Sequence, residues 1–339
     1  MYHKADASNS GRADSAVAMV ATGSYLPEKI LTNADLAKMV DTSDEWITTR
    51  TGIHERHIAA AGQATSDMAA QAALRALQQA GLTAPELDLI IVATITPDMF
   101  FPSTACFVQK AIGAERAVCF DLVAACSGFI FAMETARRFI LTGGYRNVMV
   151  IGAEKLSSIT DWQDRSTCVL FGDGAGAAIL QARPGARGIM ATVMATDGNL
   201  SELLNIPGGG SRHPASEQTV RDRLHYIKMT GREVFKHAVS SMLNAAQEAL
   251  RRSGVRIEEI ACIIPHQANL RIIQAIGQRL GAPVEKYYVN LDHCGNMSAA
   301  SVPVALDEAV RAGRIRRGDL VLLVAFGGGF TWAASVLEW

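Results

Sequence analysis

The segment VCFDLVAACSGF, residues 118–129, passes from the pattern of a buried strand to that of a helix within a few positions. Val118 to Val123 predict a strand, and only small residues separate it from Phe129. Apolar residues then recur at the spacing of one helix face, as Phe129, Ala132, Met133, Ala136 and Ile140. A strand that leads directly into an amphipathic helix is the basic unit of an α/β protein.

The same alternation continues along the chain. Short apolar runs predict further strands at Val17–Thr22, Leu89–Thr94, Val148–Gly152, Ala177–Leu180, Ile189–Met194, Ile260–Ile264, Tyr287–Leu291 and Leu320–Phe326. Helical spacing of apolar residues predicts helices over Ser66–Ala80 and Arg232–Arg251. Strands that alternate with helices favour parallel or mixed sheets with helices on their faces.

Four pairs of similar segments lie about 170 residues apart, which indicates an internal duplication. The pairs are Ala21-Thr22 with Ala195-Thr196, the strands at Leu89 and Ile260, Asp121-Leu122 with Asn290-Leu291, and Ile151 with Val324. We therefore expect a flexible leader over residues 1–16, an N-terminal half over 17–185 and a C-terminal half over 186–339. Chance similarity between β-rich runs is the alternative explanation.

Composition excludes several classes of protein. The 339 residues include 32 Lys and Arg against 33 Asp and Glu, so the net charge of −1 argues against a nucleic-acid binder but leaves room for a local basic patch. No apolar run approaches the roughly 20 residues needed to cross a bilayer, and residues 1–16 lack the pattern of a secretory signal. Six scattered cysteines, without zinc-type spacing, indicate reduced thiols, a cytoplasmic location and no metal.

One of these cysteines is placed for chemistry. Cys126 follows a predicted strand and stands at or near the beginning of the next helix. The unpaired N–H groups and the positive dipole end at that position favour a thiolate. A buried structural cysteine is the alternative.

Three other strand-end loops carry groups that suit catalysis. His266 follows Pro265 after a strand, and Asn296 stands in another loop, at a position that matches Cys126 in the repeat. Glycines 327–329 follow a strand and leave backbone N–H groups free to form an oxyanion hole. The alternatives are a structural histidine, a Gly-Asn turn and a tight glycine turn.

Cysteine, histidine and asparagine together suit two reaction classes. The first is a papain-like hydrolase, although the local signature of that family around its cysteine is absent and the α/β duplication does not suit it. The second is acyl transfer with formation of a carbon–carbon bond.

Seven longer motifs are spread over about Gly23 to Trp332. They are GSYLP (23–27), TSDEWI (42–47), RTGI (50–53), AACSGF (124–129), FGDGAG (171–176), PHQAN (265–269) and GGGFTW (327–332). Together they resemble the β-ketoacyl-acyl-carrier-protein synthase III family. The resemblance implies a thiolase-like fold, with two similar halves in five α/β/α/β/α layers, and a homodimer.

The resemblance also implies a mechanism. Cys126 takes an acyl group from acyl-CoA, and malonyl-acyl-carrier-protein then loses CO2 to give an enolate that His266 and Asn296 stabilise. The backbone N–H groups of Cys126 and Gly328 would hold the tetrahedral oxyanions, and no metal or redox cofactor is expected. Related elongating synthases use Cys-His-His and thiolases use Cys-His-Cys, so Asn296 distinguishes this family.

Binding residues are implied in the same way. The expected CoA-binding residues are Thr42, Trp46, Arg50, Arg165, Gly231, Phe235, Ala268 and Asn269, with Trp46 and Arg165 on either side of the adenine. The expected acyl pocket contains Phe171, Phe326 and, contributed by the partner subunit, Phe101. The expected carrier-protein patch is Lys236, Arg271 and Arg279, for which solvated helix faces are the alternative.

The primer is less closely defined. Residues 208–222 form a longer segment than in the acetyl-CoA-specific enterobacterial pattern, although a short primer such as acetyl-CoA is still favoured. The alternatives are a condensing enzyme of secondary metabolism that uses a longer or unusual acyl group, and a non-catalytic acyl-binding scaffold.

Overall fold

A computed structural model describes residues 15–339. Its strands are β1 (Ser15–Tyr25), β2 (Lys29–Thr32), β3 (Glu55–Ile58), β4 (Leu89–Ala93), β5 (Val118–Leu122), β6 (Asn147–Lys155), β7 (Asp173–Pro184), β8 (Ile189–Thr196), β9 (Leu204–Asn205), β10 (Lys228–Met229), β11 (Ile260–Pro265), β12 (Leu320–Gly327) and β13 (Thr331–Glu338). Its α-helices are α1 (Asn33–Leu36), α2 (Asp44–Thr51), α3 (Thr65–Ala80), α4 (Thr104–Ile112), α5 (Gly128–Leu141), α6 (Arg165–Cys168), α7 (Glu217–Arg221), α8 (Gly231–Ser253), α9 (Leu270–Leu280), α10 (Leu291–Cys294) and α11 (Ser301–Arg311).

The expected leader needs a correction at its end. Residues 1–14 lie outside the described residues, but Ser15 and Ala16 pair with Pro184 and Arg183 as the first residues of β1. The apolar run that predicts this strand begins only at Val17. The ladder itself extends two residues further because β7 continues to Pro184 and supplies partners for them.

Two mixed sheets, one of five strands and one of four, share the order of four corresponding strands. In the first sheet the order is β1-β7-β6-β4-β5, and in the second it is β8-β13-β12-β11. The predicted strand Tyr287–Leu291 is wrong: a single parallel bridge joins Tyr287 to Ile263, beside β11, where β5 lies beside β4 in the first sheet. Leu291 already begins α10. The matching order confirms the two pseudo-equivalent halves.

Helices cover both sheets and also separate them. The apolar faces of α5 and α11 pack against buried residues of both sheets, such as Leu89 and Ile264. The outer face of the first sheet is covered by α3 and that of the second by α8 and α9. The five-layered α/β/α/β/α arrangement is thereby confirmed.

The turns that precede the two central helices also correspond. Short 3-10 turns, Ala125–Ser127 and Ser298–Ala300, lead into α5 and α11. Ala125 and Ser298 both have a positive φ, 45° and 46°, which costs about 1–2 kcal/mol in a non-glycine residue. Cys126 therefore corresponds to Ala299 and not, as the sequence offset indicates, to Asn296.

The backbone of each of these turns lies in close contact with a strand glycine of the opposite half. A Cβ atom on Gly327 would lie 2.5 Å from the backbone nitrogen of Cys126, and one on Gly152 would lie 2.2 Å from the carbonyl oxygen of Ala299. No side chain fits in either gap. The two halves consequently meet backbone to backbone beside Cys126.

The apolar residues of the central strands are buried between these layers. Every residue of β4 and of β12 is buried, as expected of strands with helices on both faces. Within residues 15–339, no helix combines the length and the apolar character that a membrane span requires.

Candidate active site

Cys126, His266 and Asn296 line one cavity of about 580 Å³. Cys126 comes from the first half, in the turn between β5 and α5, and His266 comes from the second half, directly after β11. Asn296 follows α10 and forms a parallel bridge with Phe171, so the two halves meet at this position as well. The structure thus brings the three predicted catalytic residues together from separate parts of the chain.

The thiol of Cys126 is protonated at neutral pH, contrary to the expected thiolate. Burial is the main reason that the pKa of this thiol is raised to about 12; the hydroxyl of Ser298 acts in the opposite direction, and the nearby carboxyl group of Glu154 acts in the same direction as burial. Although Cys126 precedes α5, loss of solvent outweighs the effect of the helix terminus, which is worth only about 0.3–2 kcal/mol. Nucleophilic attack therefore requires a group that accepts the thiol proton.

Alkylation of Cys126 by iodoacetamide is expected to accelerate about tenfold per pH unit from pH 7 to pH 10, because only the thiolate reacts. The rate is measured by mass spectrometry of the peptide that contains Cys126, with Cys126→Ala as the blank. A rate that levels off near pH 7 would favour the thiolate expected from the helix terminus.

His266 is held as a neutral imidazole. Its backbone N–H donates to the carbonyl oxygen of Val324 (2.7 Å), and its side chain is buried. Burial lowers the imidazole pKa to about 3, and Nδ1 has no hydrogen-bond partner among the described residues. A neutral imidazole carries one N–H donor and one acceptor nitrogen, so it can both donate a hydrogen bond and accept a proton.

Asn296 is oriented by three hydrogen bonds. Its backbone N–H donates to the carbonyl oxygen of Leu170 (2.9 Å), and its own carbonyl oxygen accepts from the N–H of Gly172 (3.0 Å). The side-chain oxygen Oδ1 accepts from the N–H of Ser298 (2.9 Å). Because Oδ1 is already engaged, the amide NH2 is the group left to donate into the cavity.

Ser298 is a site residue that the sequence analysis missed. It fixes the amide of Asn296 and lines a second cavity next to Cys126. The spacing Asn-x-Ser, in which an Asn side chain accepts from the N–H two residues further on, is the signal that indicates this turn.

Cys126 also lines the second cavity, which is smaller at about 190 Å³ and mainly apolar. Its apolar walls are Ile95, Leu156, Phe171, Leu204, Ile206 and Ile227. Gly328 borders the same space, so Gly328 and Cys126 line one small volume. Two hydrogen bonds join Thr331 to the turn that carries Cys126. Thr331 Oγ1 donates to the carbonyl oxygen of Ala124 (2.9 Å), and the carbonyl oxygen of Thr331 accepts from Ser127 Oγ (3.1 Å).

The predicted acyl-pocket residues lie in three different places. Phe171 lines both cavities, Phe326 lines only the larger one, and Phe101 lines neither and is 84% exposed. The long segment 208–222 lines neither cavity; the chain on either side of it, at Ile206 and Ile227, lines the smaller one.

Six of the eight predicted CoA-binding residues lie together in one cavity. Trp46, Arg50, Gly231, Phe235, Ala268 and Asn269 line the larger cavity. Arg165 lies over the Trp46 ring at 5.0 Å from its centroid, and Arg50 at 4.7 Å. Thr42 does not line the cavity, but its buried hydroxyl has no partner among the described residues.

The side chain of Asn269 has a structural task. Its Oδ1 accepts from the N–H of Arg271 (2.9 Å) and so caps α9, and its Nδ2 donates to the carbonyl oxygen of Arg50 (3.0 Å). These bonds join α9 to α2, and both helices carry residues that line the larger cavity.

The predicted basic residues are all exposed, and one of them stands at the mouth. Arg271 lines the larger cavity and donates to the carbonyl oxygen of Thr49 (2.8 Å), whereas Lys236 and Arg279 lie on the surfaces of α8 and α9. Arg232, which the sequence analysis missed, also lines the larger cavity.

A duplicated five-layered fold with cysteine, histidine and asparagine around one cavity defines the class of thiolase-fold condensing enzymes. Comparisons with known proteins agree with this class. Residues 120–198 match the family model described as 3-oxoacyl-(acyl-carrier-protein) synthase III, and residues 250–339 match the model of its C-terminal part.

Whole-length relatives identify the family. The β-ketoacyl-acyl-carrier-protein synthase III of Caldanaerobacter subterraneus subsp. tengcongensis is 58% identical over 324 residues, which are 96% of this chain and 98% of the relative. The crystal structure of the corresponding synthase from Aquifex aeolicus has a TM-score of 0.88 at 52% identity and covers 95% of this chain and 100% of its own. The chain belongs to the β-ketoacyl-acyl-carrier-protein synthase III family, and it is an acyltransferase of the condensing type.

A structure from another context is also similar. The priming β-ketosynthase of the R1128 polyketide biosynthetic pathway has a TM-score of 0.88 at 35% identity, with 95% of this chain and 96% of that chain covered. This identity is lower than the 58% and 52% of the two synthase III relatives above, so the chain is more similar to those synthases than to the polyketide enzyme.

Proposed function

We propose that this enzyme condenses a short acyl-CoA, preferably acetyl-CoA, with malonyl-acyl-carrier-protein and so initiates fatty acid synthesis. The products would be a β-ketoacyl-acyl-carrier-protein, CoA and CO2. One observation carries the proposal: Cys126 stands where a cavity that contains His266 and Asn296 meets a small apolar one.

In the first step Cys126 attacks the thioester carbon of acyl-CoA. The thiol proton passes to His266, the only imidazole among the described residues that line the larger cavity, and then leaves with the CoA sulfur. The new acyl thioester projects into the small cavity, whose apolar walls suit a short aliphatic chain. The backbone N–H groups of Cys126 and Gly328 stabilise the tetrahedral oxyanion.

In the second step the malonyl group loses CO2, and the electron pair of the broken bond forms an enolate. The imidazole N–H of His266 and the NH2 of Asn296 donate to the enolate oxygen. Because both donors are buried and are positioned before the reaction, they stabilise the developing charge more than water would. The enolate carbon then attacks the acyl thioester and releases Cys126.

The proposal includes a homodimer in the cytoplasm. Phe100 and Phe101 are 86% and 84% exposed next to the half-exposed Met99, which is an unusual surface for three large apolar residues in a row. In the proposed dimer the partner's Phe101 would close the small cavity. None of the described residues that line that cavity is charged.

Primer length is tested with a series of straight-chain acyl-CoAs from acetyl to decanoyl. The small cavity predicts that kcat/KM is highest for the shortest chains and falls once the chain exceeds its volume. A preference for the long primers would favour the secondary-metabolism alternative, in which the segments beside 208–222 move to lengthen the pocket.

Replacing Trp46 with alanine is expected to raise the KM for acyl-CoA about 5- to 150-fold, because one stacking contact with a base is worth about 1–3 kcal/mol. Arg165 rests directly on the Trp46 ring, so the two side chains must separate for an adenine to enter. Initial rates give both constants. Trp46→Phe keeps an aromatic face and is expected to retain most of the affinity, and KM for malonyl-acyl-carrier-protein is expected to stay unchanged; equal effects on both substrates would contradict the stacking role.

A further inference from the structure

A second group of reactive side chains lies behind the loop that carries Asn296. His293 and Cys294 are in α10, and Glu308 is in α11. His293 Nε2 is 3.6 Å from Glu308 Oε1, and Cys294 Sγ is 3.9 Å from the same oxygen. One ligand atom from each of the three residues lies within 4.8 Å of the others.

The two distances to Glu308 Oε1, 3.6 and 3.9 Å, are close to those between ligand atoms of a tetrahedral metal centre. With metal–ligand bonds of ~2.0–2.3 Å, tetrahedral ligand atoms lie roughly 3.3–3.8 Å apart. Small side-chain shifts would bring the three atoms onto one ion. Imidazole, thiolate and carboxylate are the three donor types that zinc accepts, and adjacent His and Cys residues leave no spacing pattern in the sequence.

Neighbouring residues support the donors as they do in metal sites. Asp292 Oδ1 lies 3.1 Å from Nδ1 of His293, which leaves Nε2 to face Cys294 and Glu308. Asn290 Nδ2 donates to Glu308 Oε2 (2.7 Å), which leaves Oε1 for the centre of the group. A carboxylate behind a histidine ligand, and an amide behind a carboxylate ligand, are the usual second contacts of such ions.

We propose that His293, Cys294 and Glu308 bind a divalent cation of the zinc type, with water as a fourth ligand. His293 is partly exposed, so solvent reaches the group, whereas Cys294 is buried. On binding, the Nε2–H bond of His293 and the S–H bond of Cys294 break, metal–nitrogen and metal–sulfur bonds form, and both protons pass to solvent. The site is separate from the proposed reaction and does not depend on it.

Such an ion would join α10 to α11. Cys294 lies two residues before Asn296, so the ion would hold the segment from which the Asn296 side chain enters the cavity. A cation that binds the folded chain alone also stabilises it. Zinc is therefore expected to raise the thermal unfolding temperature of the enzyme.

The test uses Co²⁺ as the probe, because a cobalt–thiolate bond has its own near-ultraviolet charge-transfer absorption. The full chain is titrated with Co²⁺, and Zn²⁺ is then added to displace it. Other thiols of the chain also lie near a second group that binds metals. Cys126 shares its cavity with His266, and the sulfurs of Cys106 and Cys119 are 3.6 Å apart. The matched control is therefore the triple variant Cys126→Ala, Cys106→Ser, Cys119→Ser.

One Co²⁺ per chain with a thiolate band is expected in both the unaltered chain and the triple variant. Cys294→Ala is expected to remove the band and the thermal stabilisation by Zn²⁺, and Glu308→Gln, which keeps an oxygen for Asn290, to weaken binding about tenfold or more. The Glu308 variant decides the matter if Cys294→Ala does not fold. A band that persists in Cys294→Ala, disappears in the triple variant or never saturates would overturn the proposal, as would unchanged affinity in Glu308→Gln.

Discussion

Replacing Cys126 with alanine is expected to abolish the acyl-enzyme and to lower the rate of β-ketoacyl product formation by at least about 10³-fold. Within residues 15–339, Cys126 is the only thiol that lines either of the two cavities, and it lines both. Without its sulfur the acyl group has no covalent carrier. The measurement is transfer of a radiolabelled acetyl group from acetyl-CoA to the protein, together with the rate of product formation.

Cys106→Ala is the matched control for this loss. Cys106 is half-buried like Cys126, and it lies in α4 away from both cavities. This variant is expected to retain full labelling. Labelling that survives in Cys126→Ala, with the fold intact by circular dichroism, would assign the nucleophile to another residue and would revive the non-catalytic alternative for this cavity.

Replacing Asn296 is expected to separate the two chemical steps. Asn296→Ala removes a donor to the enolate and is expected to slow malonyl decarboxylation by about 10²–10³-fold, the usual cost of one oxyanion donor. Acylation of Cys126 uses no such donor and is expected to change by less than about tenfold. His266→Ala is expected to slow both steps, because His266 accepts the thiol proton in acylation and donates to the enolate oxygen in decarboxylation. The loss in decarboxylation is expected to be the larger of the two.

Asn296→Asp distinguishes a donor from a merely structural side chain. Aspartate keeps the oxygen that accepts from the N–H of Ser298 but loses the NH2 group and adds a negative charge. It is therefore expected to be as defective in decarboxylation as Asn296→Ala. Decarboxylation and acylation are followed separately, as CO2 release and as label transfer. Recovery of decarboxylation in Asn296→Asp, or equal loss of both steps in Asn296→Ala, would contradict the role of Asn296.

The fold could be predicted from sequence wherever the local structure depends on residues that are adjacent in the chain. The apolar run before Cys126 and the helical spacing after Phe129 place a strand, a turn and a helix where the structure has them. The duplication was also visible, because each half repeats the same runs in the same order. The apolar run that begins at Tyr287 resembles a strand, but in the structure a single bridge joins Tyr287 to β11.

The site was less predictable wherever its properties depend on packing between the halves. The terminus of α5 predicts a thiolate at Cys126, but burial by the opposite half reverses the direction of the pKa shift. The correspondence of Cys126 with Ala299 depends on backbone geometry, namely the positive φ of Ala125 and Ser298, which a constant sequence offset does not show. Glu308 reaches Cys294 from another helix, so no local pattern indicates their contact.

The most direct test of the central claim is mass spectrometry of the intact chain, first with acetyl-CoA alone and then after addition of malonyl-acyl-carrier-protein. An acyl transfer through Cys126 predicts one added acetyl group per chain, located on the peptide that contains Cys126. It also predicts that this group disappears on addition of the second substrate as an equal amount of acetoacetyl-acyl-carrier-protein forms. Absence of the adduct, or an adduct that persists while product accumulates, would contradict it.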